Sequence, residues 1–317
     1  MRVLFQSEQL NYRGTTHSMV DFAKYNQEIL GNESVIIYNE NSPMGIDVGN
    51  EDDAIEQLSE KFQVLSYNNA DQLNDIASQF DLCYSQRSGM AKGSVYKDTA
   101  GNIIKAEDTG DYERNTENAM VTSTRFGIHS VFQWHGFHGD AFAYVSEWLA
   151  RKIQSDHELD YTPDFVPLIV NSPEPTRSLR EELGIPKDKF VIGRLGGYAT
   201  FDLEFVWDAI QEIVNTRTDI VFLFANTMPF YNHPNIIHLD PFFDHETRSN
   251  FVHTCDAMVH GQKFGETFGL AISEFLFQNK PVVAWEGGIN RNHTMLLKDN
   301  NLLYTKETAL QKILDPV

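Results

Sequence analysis

Apolar residues in this chain fall into short runs separated by stretches of helical periodicity, and the alternation continues from end to end. RVLFQS (2–7) reads as a strand, followed by a loop over 8–14 and a helix carried by Met19, Phe22, Ala23 and Tyr25. SVIIY (34–38) and FQVLSY (62–67) read as strands, a helix runs through Leu73 and Ile76, and DLCYS (81–85) and IHSVFQW (128–134) are further strands before a helix at VSEWLARKI (145–153). The second half repeats the pattern. Helix SLREEL (178–183) precedes strand FVIGRL (190–195), helix LEFVWDAIQEIV (203–214), strands DIVFLFA (219–225) and NIIHL (235–239), helix HETRSNFV (245–252), strand AMVH (257–260), a helix after Thr267, and strand PVVAW (281–285). Runs that are apolar at every position are buried on both faces, so the alternation predicts parallel, doubly wound α/β sheets.

Two stretches break the pattern. Residues 86–125 are polar, with Gly89, Gly93, Gly101 and Gly110 and little periodicity; so long a segment after the carboxyl end of a strand is where ligand-binding loops occur. TPDFVPLIVNSPEPT (162–176) holds four prolines around one short strand and reads as a hinge, dividing the chain into domains 1–165 and 166–317.

At 317 residues the chain is long enough for two cores, and its 41% hydrophobic and 22% charged residues are ordinary for a globular protein. The formal charge of −20 repels phosphate backbones and anionic headgroups, so no nucleic acid partner is expected. Residues 1–165 carry −14 of it and the rest −6. No apolar run approaches the ~20 residues of a membrane span, so no integral membrane segment is expected. The first residues read as a strand in place of a signal peptide. Cys83 and Cys255 lie in different halves and suggest no disulfide, which makes a reducing cytoplasm the expected setting.

The chemistry concentrates in GETFGLAISEFLFQNKPVV (265–283). Thr267 reads as the N-cap of a helix whose apolar residues are Leu270, Ile272, Phe275 and Leu276, closed by Asn279 before Pro281. Glu274 then falls in mid-helix among apolar neighbours and needs a polar partner. Glu266 precedes the helix, where the N–H groups of Phe268, Gly269 and Leu270 would form an anion site, and Gly269 permits close approach of a ligand to the backbone. An ordinary helix, with Glu266 as an N-terminal charge and Glu274 in a salt bridge, accounts for the same spacing.

This block resembles the donor-site signature of retaining glycosyltransferases of family 4: a Glu, seven residues, a second Glu, then an Asn-Lys-Pro turn into a Val-rich strand. FVIGRL similarly resembles the strand ending in the arginine that grips the donor diphosphate. The resemblance implies a GT-B fold, two Rossmann-like doubly wound domains facing a cleft, with an N-terminal acceptor-side domain and a C-terminal nucleotide-sugar domain. By position it implies that Glu266 faces the transferred sugar, Glu274 the ribose and Arg194 the diphosphate. The lysine usual five residues after that arginine is replaced by Ala199 in GGYATFD. Gly196, Gly197, Tyr198 and Thr200 are then candidates for phosphate binding, and Lys263, in HGQKFGE beside His260, for the missing cation.

In the first domain HSVFQWHGFHGD (129–140) supplies His129, His135, His138 and Asp140. The resemblance places one histidine near the transferred sugar; His135 and His138 are the candidates, with Asp140 to orient either ring. Their H-x-x-H spacing lacks a third ligand, so no metal site is expected. In NYRGTTHSM, Gly14 and Thr15 are candidate donor or acceptor contacts and Arg13 a phosphate or acceptor contact. The chain has no Asp-x-Asp, from which metal independence follows as an expectation. The sequence thus points to a cytoplasmic, metal-independent transferase of a UDP- or GDP-linked sugar to a carbohydrate acceptor. A sugar-nucleotide epimerase or hydrolase, and a non-catalytic nucleotide-sugar-binding homologue, remain alternatives.

Overall fold

The computed structural model describes residues 1–42, 49–109, 119–297 and 302–314. The chain divides into two units, Met1–Ile169 and Val170–Val317.

The first unit is built on β1 (Arg2–Ser7), β2 (Glu33–Asn39), β3 (Gln63–Tyr67), β4 (Leu82–Arg87), β7 (Arg125–Ser130) and β8 (Ala141–Tyr144), with the order β3-β2-β1-β4-β7-β8. Every pairing in this sheet is parallel, Leu4 standing beside Val35 on one side and Cys83 on the other. Those residues, with Ile37, Leu73, Ala77, Phe126 and Ile128, form one face's core. Helices α1 (Gly14–Glu28), α2 (Asp52–Ser59) and α3 (Ala70–Ala77) provide the crossovers from β1 to β2, β2 to β3 and β3 to β4, and α4 (Glu147–Asp156) follows β8. Between β4 and β7 a hairpin of β5 (Val95–Lys97) and β6 (Ile103–Lys105) occupies part of the segment expected to lack structure. Positions 110–118 of that segment lie outside the described residues.

Three readings are corrected, and two elements that the pattern did not predict are added. The strand expected over 128–134 ends at Ser130, because Trp134 leaves the sheet to pack with Met90, Ala106 and Tyr96. The short edge strand β8 and the helix Asp52–Ser59 lie in sequence too polar or too brief to show a period. Residues 162–176 contain no strand; Phe165 makes only an isolated bridge to Tyr144. SLREEL forms turns instead of a helix, anchored by buried Leu179.

The second unit contains β9 (Phe190–Leu195), β10 (Ile220–Ala225), β11 (Ile236–Leu239), β12 (Ala257–His260), β14 (Val282–Trp285) and β16 (Leu303–Tyr304), ordered β11-β10-β9-β12-β14-β16 and all parallel. β10 is buried at every residue, as a continuous apolar run requires of a central strand. Helices α5 (Glu204–Thr216), α6 (His245–Thr254), α7 (Leu270–Phe277), α8 (Asn292–Leu297) and α9 (Ala309–Leu314) accompany the sheet, whose two faces carry separate cores. A small two-stranded pairing of β13 (Gly265–Glu266) with β15 (Asn290–Arg291) lies outside it. The chain direction around the sheet reverses between β9 and β12, and the carboxyl ends of such a pair flank the crevice where open α/β sheets bind ligands. Both cysteines are buried and free, one in each unit.

Candidate functional site

At the end of β9, Arg194 turns back beneath its own loop. Its Nη1 donates to the carbonyl of Asn226 (3.1 Å) and to Thr227 Oγ1 (2.6 Å), and its Nη2 to the carbonyl of Gly197 (2.9 Å) and to Thr200 Oγ1 (2.8 Å). The guanidinium also lies 5.5 Å from the centre of the Phe201 ring. It is buried, and it joins the 196–200 loop to the end of β10. Gly196 is required by that fold-back, because a Cβ there would stand 2.7 Å from Nη2. Ala199 is exposed at the tip, and the amides of Gly197 and Tyr198 donate to no protein acceptor among the described residues.

The two sequence motifs are joined physically. Asp202 donates its amide to the carbonyl of Gly261 and accepts the amide of Lys263 at 2.7 Å, while Gly261 packs against the Phe201 ring. The Lys263 side chain is exposed. Glu266 follows on β13, where Gly265 has φ +70° and a Cβ would fall on the carbonyl oxygen of Asn290; only glycine fits.

The helix after Glu266 starts later than its sequence suggests. Gly269, with φ +90°, occupies the N-cap, and Thr267 is not the cap. The first intrahelical bond runs from the Ser273 amide to the Gly269 carbonyl, so the open amides are those of Leu270, Ala271 and Ile272, of which only Leu270 was expected. The carbonyl of Phe268 accepts from Asn292 Nδ2, which fixes the turn. Asn279, with φ +56°, closes the helix as expected.

Glu266 is held by two histidines. Its Oε1 lies 3.2 Å from His260 Nε2, and its amide donates to His293 Nδ1 at 3.3 Å. His293 Nε2 donates to the carbonyl of Trp285 at 2.7 Å. Burial drives the His293 pKa down to about 4, so its ring is neutral at ordinary pH. Glu266 Oε2 has no protein partner among the described residues, and the side chain is 27% exposed.

Glu274, one turn into the helix, is buried against Arg248, and both carboxylate oxygens are engaged. The partner its burial demanded is therefore on α6. His293, Asn292 and Arg248 escaped the sequence reading; for Arg248 the available signal was a lone arginine within a helix that also carries buried Phe251 and Val252.

The first-unit candidates are more scattered. His135 stacks on His157, ring centres 4.4 Å apart, and exchanges backbone hydrogen bonds with Val95. His138 Nδ1 lies 2.8 Å from the carbonyl of Gly136, to which it donates, and burial lowers its pKa. It lines a cavity of about 850 Å³ walled by Phe22, Tyr84, Phe137, Phe142 and Tyr161. Asp140 does not orient either ring; its Oδ2 accepts the Phe126 amide. His129 is a buried structural residue between Tyr84 Oη (2.6 Å) and the carbonyl of Val166 (2.7 Å). Gly14 is the exposed first residue of α1 and Thr15 is half-buried beside it. The turn before them is set by Asn11, whose Oδ1 accepts the Arg13 amide and whose Nδ2 donates to Gly49. The structure thus assembles Arg194, Gly196, Gly197, Lys263, Glu266 and the turn Thr267–Leu270 along one edge of the second sheet. It sets Glu274 inside the adjoining helix and does not bring His135 and His138 into one hydrogen-bonded group.

Among the described residues no group of three or more His, Cys, Asp or Glu is placed to hold a metal ion, and no helix is long and apolar enough to cross a membrane.

No protein-family model matches the chain, and no curated protein matches it. Solved structures do. The Anabaena protein HepE in complex with UDP-glucose superposes with a TM-score of 0.62 at 14% identity, over 99% of this chain and 89% of that one. A glycosyltransferase from Rickettsia africae ESF-5 gives 0.58 at 15% identity, over 98% and 86%. A Listeria monocytogenes protein described as a UDP-N-acetylglucosamine 2-epimerase gives 0.55 at 11%, over 99% and 87%. At these identities the likeness is one of fold: two Rossmann-like domains in the GT-B class.

Proposed function

We propose that this GT-B chain is a retaining glycosyltransferase of family 4 type, moving a sugar from a UDP- or GDP-linked donor to a hydroxyl of a carbohydrate acceptor in the cytoplasm. The observation that carries the reading is Glu266, whose Oε2 is open while its other polar contacts are held, three residues before the glycine cap of a helix whose first amides are free. Carboxylate and amides together suit a sugar joined to a diphosphate: Oε2 accepts from a sugar hydroxyl, and the helix N-terminus faces the phosphates.

As the sugar departs, charge grows on the leaving diphosphate. The amides of Leu270–Ile272, those of Gly197 and Tyr198, and Lys263 would meet it, without a metal ion. Arg194 serves this arrangement by holding the loop, its positive charge beneath the phosphates. Glu274 would hold the ribose with Arg248 as its fixed partner. His138, neutral and bordering the first unit's cavity, remains the better of the two histidine candidates for the transferred sugar, with His135 engaged in its stack; Gly14 and Thr15 are retained as contacts at the start of α1.

The test is a thermal-shift screen against UDP, GDP, ADP, dTDP and their sugars in EDTA, followed by assay of nucleotide release with and without oligosaccharide acceptors. A ligand at a hundred times its dissociation constant adds about 2.7 kcal/mol of stability. Stabilisation by one nucleotide with acceptor-dependent release is expected. Release that ignores every acceptor would favour an epimerase or hydrolase, and no stabilisation by any nucleotide would defeat the proposal.

A further inference from the structure

His260 and His293 constrain Glu266 from two directions. The amide of Glu266 can only donate and the carbonyl of Trp285 can only accept, so the bonds at His293 Nδ1 and Nε2 admit one neutral tautomer, with the proton on Nε2. His293 has no exposed surface and belongs to α8, which follows directly on β15, the partner strand of β13. Its ring therefore fixes where the main chain of Glu266 runs. His260, at the end of β12, faces the carboxylate with Nε2 as donor, and its own carbonyl accepts from Tyr304 Oη. The two rings are 5.0 Å apart. Backbone position and carboxylate rotation are thus set by different histidines, and Oε2 is the polar atom left over.

We propose that His293 and His260 are positioning residues for Glu266, His293 holding its main chain and His260 its carboxylate, so that Oε2 is presented to a hydroxyl of the transferred sugar. This rests on the reading of Glu266 as the sugar-binding carboxylate. A misplacement of about 1 Å in such a group is enough to cost a large factor in rate.

Asparagine and glutamine separate the two ring nitrogens. The Asn side-chain oxygen can replace an accepting Nδ1, and the Gln side-chain nitrogen a donating Nε2. The rescuing residue should therefore differ between the sites. With the nucleotide sugar that the native protein turns over, His293→Asn and His260→Gln are expected to keep kcat within about threefold. His293→Gln and His260→Asn are expected to lose about tenfold or more, with the Kd of the free nucleoside diphosphate unchanged in all four. Equal loss for Asn and Gln at both positions, or loss that follows Tm alone, would overturn the proposal. Imidazole nitrogen NMR of the unliganded native protein supplies a second measurement: a protonated Nδ1 on His293 would overturn the geometry even if the variants fail to fold. Absence of any nucleotide-sugar binding instead defeats the parent reading of Glu266, and is told apart because the imidazole spectrum needs no ligand.

Discussion

Arg248 grips both carboxylate oxygens of Glu274, Nη2 lying 2.8 and 2.7 Å from Oε1 and Oε2 and Nε 3.1 Å from Oε1, with both side chains almost wholly buried. The pair links α6 to α7 beneath the helix N-terminus. Arg248→Met leaves a buried carboxylate alone and is expected to cost about 3–5 kcal/mol, whereas the double variant Arg248→Met/Glu274→Leu should recover most of that. Urea unfolding of the two proteins checks it. If Glu274 also holds ribose, the double variant folds but gains no stability from nucleotide.

Arg194→Lys keeps the charge but has a compact ammonium in place of the fork that reaches Asn226, Thr227, Gly197 and Thr200. It is expected to weaken nucleoside diphosphate binding at least tenfold, about 1.4 kcal/mol. Gly196→Ala should act in the same direction, since its Cβ would displace Nη2 from a pinned position. Calorimetric titration measures both, and native affinity in Arg194→Lys would sink the loop-holding role.

Gly265 and Gly31 share a positive φ, +70° and +66°, but not surroundings. A Cβ on Gly31 meets nothing within 4 Å, so Gly31→Ala should cost only the left-handed backbone strain of about 1–2 kcal/mol. Gly265→Ala adds collision with the main chain of Asn290 and should cost more than about 2 kcal/mol. Comparison of their melting temperatures checks the difference.

Burial lowers the pKa of His129 and His293 to about 4 in the folded chain, below the ordinary histidine value of 6.5. Between those values the unfolded chain binds more protons, so stability rises with pH across the window. It is full above about pH 6.5 and is lost as pH falls towards 4, by on the order of 3 kcal/mol for each ring. Urea midpoints that stay level from pH 7.5 to 4.5 would contradict this.

The parallel sheets were legible because burial on both faces forces apolar residues into every position of a central strand: IVFLFA on β10 and VVAW on β14 allow no other element of that length. The Glu266–Glu274 segment was legible for a related reason, as a carboxylate within an apolar helix declares that something polar waits opposite. Its partner was not legible, because Arg248 stands 26 residues away and only helix packing brings the two together. The start of that helix was misread at Thr267, since a capping side chain can be seen in sequence whereas the left-handed turn at Gly269 depends on its neighbours' backbone. Arg194 could be placed at a strand end from FVIGRL, but its direction could not: whether a guanidinium faces outward or folds under its loop depends on which carbonyls and hydroxyls the adjacent strand supplies. The histidines show the same limit. Residue type and spacing made His135 and His138 candidates, while the two that hold Glu266 come from the end of β12 and from α8, close only because parallel strands gather their carboxyl ends along one edge of the sheet.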